Sequence, residues 1–155
     1  MMTSHLYTLE NNVFAGFVFY TVLLLMKMLL MTVLTTTKRQ IHKAFHSPED
    51  TSRAGTNPEA RKKSLLPNEN VERVRRCHRN DMENIYLFIF LSLLYIATDP
   101  PYAMAIWYFR VYTVSRFLHM LVYLNGIRQP FRGLTFAAGY VTCWILAIST
   151  LLSIV

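Results

Sequence analysis

The side chains with the most chemical capacity crowd into one stretch, Val71-Glu72-Arg73-Val74-Arg75-Arg76-Cys77-His78-Arg79-Asn80-Asp81-Met82-Glu83-Asn84-Ile85. On a helix, residues three and four apart share a face. Arg73, Arg76, Asn80 and Glu83 then form one stripe within roughly 80° of the helix surface, and Leu87 carries it on into apolar sequence. A solvated helix start with snorkelling arginines is the plain alternative. Asn80 and Glu83 argue against it, because they fall where burial is costly and polar groups need partners. A second stripe, Tyr112, Arg116, His119 and Tyr123, has the same spacing inside an apolar run. Arg116 lies too deep to snorkel, so it calls for a partner, and Glu83 is the expected one. Lys27, alone among apolar residues, is read as structural, paired with a neighbouring helix or its carbonyls and outside the site. No metal site is expected.

These stripes need long helices to hold them. The chain has 155 residues, more than half of them apolar or aromatic. Its apolar residues gather in four runs, Val13 to Leu34, Ile85 to Ala97, Tyr102 to Leu124 and Leu134 to Val155. A bilayer-crossing helix takes about 20 mostly apolar residues. Three runs reach that length as they stand, and the second reaches it when its helix starts in the polar stretch before Ile85. The expected fold is an all-α integral membrane bundle of four helices, a single domain over residues 1–155. Its spans lie at roughly 13–35, 71–98, 102–124 and 131–154, joined by a loop over 38–70. The first run lacks a basic start and is too long for a signal-peptide core, so it is expected to remain in the protein. Cys77 and Cys143 suggest no disulfide framework.

Charge orients the spans. Eleven of the sixteen basic residues lie between Lys38 and Arg79, Arg128 and Arg132 sit in the third connection, and the Thr98 to Pro101 turn has none. By the positive-inside rule the first and third connections face the cytosol. The net charge of +7 is therefore assigned to topology, and no nucleic-acid partner is expected. Pro48, Gly55, Pro58 and Pro67 break up the long loop, whereas Glu69 through Tyr95 has neither Gly nor Pro and suits one continuous helix.

Several segments now taken together, Lys27-Met28, Lys43-Ala44-Phe45 with Pro48-Glu49-Asp50, Val71 to Asn84, and Gln129-Pro130-Phe131-Arg132, resemble the MAPEG superfamily of membrane proteins in eicosanoid and glutathione metabolism. Within it the chain looks most like the microsomal glutathione transferases, with the microsomal prostaglandin E synthase as a relative. The resemblance implies a homotrimer in the endoplasmic reticulum membrane, with the mitochondrial outer membrane as a second location. It also implies glutathione as co-substrate, bound between subunits near the cytosolic face. Arg39, Arg75, Arg76, His78, Glu83 and Tyr123 match the family's glutathione contacts. Arg73, Arg79, Asn80 and His119 match further positions lining the site, and Arg132 matches the arginine that acts on the thiol.

The chemistry is consistent with those residue types. Glutathione carries two carboxylates and one ammonium, so its recognition calls for several arginines and at least one acid. A guanidinium beside a thiol favours the nucleophilic thiolate. Hydrophobic electrophiles and lipid hydroperoxides dissolved in membrane lipid are the implied second substrates. The chain departs from its relatives at Thr51, where some microsomal transferases carry a stress-sensing cysteine, and at Cys77, which stands beside the proposed site where alanine is usual. Gly133 and Phe136 replace the serine and tyrosine near the thiol in the prostaglandin E synthase, which weakens an isomerase reading. A non-catalytic lipid-binding scaffold is the alternative from a different class, although a scaffold needs no such set of arginine, asparagine and glutamate.

Overall fold

A computed structural model describes residues 4–155, and among these every regular element is helical. After a short 3-10 turn at Ser4–Tyr7 come five α-helices: α1 Asn12–His42, α2 Pro58–Ser64, α3 Glu69–Ile96, α4 Tyr102–Leu124 and α5 Phe131–Ile154. The expected count of four is thus exceeded by α2, a short helix inside the 38–70 loop. Pro58 opens it, and the Asn57 side chain accepts from the Glu59 amide at 2.9 Å. A second 3-10 turn, Pro48–Ala54, precedes it.

Local chemistry sets each boundary. The Asn11 carboxamide oxygen accepts from the Val13 and Phe14 amides at 2.8 and 3.2 Å, satisfying two of the orphan donors that open α1. α1 then runs past its apolar stretch to His42. The hydroxyls of Thr35, Thr36 and Thr37 donate to carbonyls one turn back at 2.8, 3.1 and 2.9 Å, which satisfies them within the helix. It stops where Lys43 enters the left-handed region at φ 45°. Pro100 and Pro101 separate α3 from α4.

The four long helices form one bundle in which α3 and α4 each touch α1 and α5. Leu24, Ile85, Phe88, Phe109 and Leu146 fill its centre. Phe88 stacks on Tyr112 with ring centroids 3.8 Å apart, and the Tyr112 hydroxyl donates to the Asn84 carbonyl at 2.7 Å. The outer surface is apolar as well: Phe19, Leu29, Phe90, Leu121, Trp144 and Leu152 are all exposed. A helix hydrophobic on every side belongs in a protein core or a membrane. By length and composition α1 and α5 are apolar enough to cross a bilayer, their most apolar 18-residue stretches having mean hydropathy 2.2 and 1.7. α3 and α4 fall short of that composition, because α3 spends its first turns on charge and α4 carries Arg110 and Arg116.

Candidate functional site

α3 distributes the polar residues. Its first turn is capped by Asn68, which accepts from the Asn70 amide at 3.0 Å, and Glu69 and Glu72 stand at the positive end of the helix dipole. Glu69 pairs with Arg76 at 2.6 Å, and Glu72 with Arg75 at 2.6 Å. At 100° per residue the buried line of Val74, Cys77, Asp81 and Ile85 points into the bundle. Arg73, Arg76 and Asn80 then lie on one flank of it, and Arg75, His78 and Arg79 on the other.

The first flank faces the connection between α4 and α5. The Arg73 guanidinium presses against Gly126, whose φ of 68° and lack of a side chain make room for it. Arg76 faces Tyr123. The Tyr123 ring lies 5.2 Å from the Arg132 guanidinium and 5.7 Å from the His119 ring, so Arg76, Tyr123, Arg132 and His119 form one corner. Thr135, on the turn after Arg132, completes it with Oγ1 3.2 Å from His119 Nδ1. That hydroxyl is already directed at the carbonyls of Phe131 and Arg132, both at 3.1 Å. Its proton is therefore committed, and the fitting arrangement has His119 Nδ1 as donor and Nε2 as a bare acceptor. Nε2 is buried without a partner among the described residues.

The second flank faces α1. Arg75, His78 and Arg79 join Arg39, Thr32, Thr35 and Thr36 around a hollow of about 300 Å³. Arg39 and Arg75 also border a neighbouring hollow of about 250 Å³ with Glu72, His46 and Asn68. The extension of α1 to His42 is what carries Arg39 there. Within one copy of the chain the Arg132 corner and the Arg39 hollow open on different sides of α3. The sequence-derived residues are therefore gathered into two groups.

Two expectations require correction. Arg116 does not pair with Glu83. Glu83 is exposed and has no ion-pair partner among the described residues, while Arg116 is fully buried. Its guanidinium donates to the Phe136 carbonyl at 2.9 Å and lies 5.3 Å from the centroids of both the Tyr112 and Phe136 rings. The aromatic walls and one carbonyl are its direct contacts. Cys77, expected beside the site, lies beneath it with no exposed surface, packed with Met31, Val74 and Met120.

One pair was not identified from sequence. Lys27 on α1 meets Asp81 on α3 at 2.5 Å, both sealed from solvent. Lys27 is structural as expected, and its partner was open to inference, since Asp81 falls on the α3 face defined by Cys77 and Ile85, where an acid needs a cation. Arg116 lies close enough for its charge to act on Asp81 too. Among the described residues no cluster of metal-ligating side chains occurs.

Comparison with known proteins extends over the same ground. Residues 17–152 match the MAPEG family. Microsomal glutathione S-transferase 1 from Sus scrofa is 42% identical over 132 residues, covering 85% of this chain and 84% of the relative. The Homo sapiens protein of that name is 40% identical over the same lengths. Prostaglandin E synthase from Homo sapiens is 33% identical over 150 residues, 97% of this chain and 95% of the relative. Since the match takes in nearly all of the four long helices and both flanks of α3, the chain belongs to the MAPEG family.

Proposed function

We propose that this protein is a membrane-bound glutathione transferase that joins the glutathione thiolate to hydrophobic electrophiles and reduces lipid hydroperoxides with the same thiolate. The observation that carries this reading is the division of arginines between two flanks of α3. Each flank offers three arginines, but Arg132 stands on one and Arg39 with His78 on the other, so the residues assigned to glutathione do not meet within one copy. Two adjacent copies, one presenting the Arg132 corner and the other the Arg39 hollow, would bring them together. That is the argument for an oligomer with glutathione between subunits, which the family resemblance makes a homotrimer. The four long helices serve as spans, with the 38–70 loop in the cytosol of an endoplasmic reticulum protein. The microsomal transferases among the relatives support the same reading.

Each residue then has a task. Arg39, Arg73, Arg75, Arg76 and Arg79 meet carboxylates, with His78 and Asn80 as hydrogen-bonding neighbours. Glu83, exposed and without an ion-pair partner among the described residues, takes the ammonium. Arg132 holds the sulfur as thiolate, its guanidinium steadied by the Tyr123 ring. His119 offers the acceptor Nε2 to a ligand donor. The electrophile approaches from the apolar side of the bundle.

The prostaglandin E synthase relative raises isomerisation as a second reading, and the corner argues against it. Releasing an endoperoxide oxygen calls for a free proton donor or acceptor near the sulfur. Gly133 and Phe136 carry none, the Thr135 hydroxyl is committed to backbone, and what the corner leaves open is an acceptor, His119 Nε2, with no hydroxyl at the two positions beside Arg132. Purified protein with glutathione should be assayed in parallel against a halonitroarene, a lipid hydroperoxide and a prostaglandin endoperoxide. Conjugation and peroxide reduction are expected, with prostaglandin E formation much slower. Efficient isomerisation without conjugation reverses the order, and glutathione binding with no turnover of any substrate favours the scaffold.

A further inference from the structure

α4 carries a cation that neither the core nor the glutathione reading uses. Arg110 is exposed on the outer face of α4, and among the described residues its side chain makes one hydrogen bond, from Nε to the Tyr20 hydroxyl at 3.2 Å. A guanidinium has five donor hydrogens, so four remain open. Around it the helix shows Trp107, Val114, Leu118 and Leu121 to the outside. From Tyr102 to Arg110 the helix rises roughly 12 Å, which puts the charge well inside an apolar span. There an ionised group snorkels or takes a polar partner, and an anion suits a guanidinium left with four open donors.

Arg110 also ends a groove. Between α4 and α5 lies a channel of about 420 Å³ walled by Trp107, Val111, Val114, Leu118, Leu134 and Ala138. Arg110 borders one end and Thr135 the other, the same Thr135 whose Oγ1 touches His119 on the turn after Arg132. A lone cation, a one-sided apolar trough and a mouth on the Arg132 corner thus lie in line.

We infer that this groove seats a single-chain amphiphile with one carboxylate, of the free fatty acid type, whose head is held by Arg110 and whose chain runs toward Thr135. Arginine receives a carboxylate through two parallel hydrogen bonds, and the apolar walls remove the chain from water. From Arg110 to His119 the helix rises roughly 13 Å, so a chain reaching the corner has on the order of ten carbons between its carboxylate and the position presented there. Presentation to a thiolate rests on the glutathione reading, whereas the binding itself does not.

The test uses the full-length protein in discs of zwitterionic lipid, with a fluorescent polyene fatty acid and its methyl ester as probes. The parent should bind the acid about tenfold more tightly than the ester, and Arg110→Gln should bring the acid down to the level of the ester. Arg110→Lys should keep part of the preference, and Val114→Trp, which fills the trough, should weaken both probes. Equal binding of acid and ester by the parent overturns the inference, as does a preference that survives Arg110→Gln. A smaller particle mass for Arg110→Gln also overturns it, assigning Arg110 to a contact between copies. Halonitroarene conjugation by the parent in the same discs reports on the glutathione reading separately, so either conclusion can fail while the other stands.

Discussion

Lys27 and Asp81 touch at 2.5 Å inside the bundle, joining α1 to α3 at a point with no access to solvent. Removing one member leaves an uncompensated buried charge, which typically costs about 3 to 5 kcal/mol. Lys27→Met and Asp81→Asn should each lower the Tm in detergent markedly. The double variant Lys27→Met/Asp81→Leu should recover most of the loss, because a well-packed apolar pair can replace a buried ion pair. A double variant no more stable than the single ones would show that the pair contributes through something other than charge balance.

Gly139 lets α5 approach the Arg116 guanidinium. A methyl group there would sit 2.5 Å from Arg116 Nη2 and 2.7 Å from the Ser115 hydroxyl. Gly139→Ala is expected to destabilise by about 1 to 3 kcal/mol through overpacking, despite the better helix propensity of alanine. Thermal unfolding beside an Ala138→Gly control measures this. A Tm at or above that of the parent means Arg116 has room to move.

Glu83→Gln separates stability from binding. Because Glu83 is exposed and without an ion-pair partner among the described residues, its loss should leave the Tm close to that of the parent. Glutathione affinity should fall by about 1.5 to 3 kcal/mol, the usual worth of a hydrogen bond to a charged group. Calorimetric titration reads it, and parental affinity would exclude Glu83 as the ammonium partner.

Arg132→Ala should leave glutathione bound while the thiol drifts back toward its free pKa of about 8.5. Arg132 lowers the thiol pKa by favouring the anion, so the variant loses rate at neutral pH and regains it as the pH rises. Each unit of upward drift removes about tenfold in thiolate at neutral pH. The ultraviolet thiolate band and the pH profile of conjugation report this together. A profile that coincides with the parent places thiol activation elsewhere.

How far the sequence spoke depended on whether a feature is local. α3 was legible because Glu69 through Tyr95 holds no helix breaker, and its stripe followed from the helical period alone. Which helix the stripe meets is a matter of tertiary packing, and there the reading of Glu83 against Arg116 failed: periodicity places residues on a face but does not say which helix lies opposite. The continuation of α1 past its apolar run to His42 was not legible, because threonine has a low helix propensity and the residues after Leu34 are polar. Arg110 passed unremarked since nothing in its immediate sequence distinguishes it from a snorkelling arginine, and only the groove beside it gives it meaning.

The split of the arginines across α3 has a genetic consequence. If each site takes the Arg132 corner from one copy and the Arg39 hollow from the next, a copy defective in one half still lends its intact half to a neighbour. Two inactive alleles, Arg132→Ala and Arg39→Ala, expressed together would form mixed rings. In any ring containing both, one junction joins the sound corner of the Arg39 variant to the sound hollow of the Arg132 variant. Activity would reappear in the co-expressing cell although each allele alone is silent, the pattern known as intragenic complementation. Two alleles damaged on the same flank, such as Arg39→Ala with Arg79→Ala, would not rescue one another.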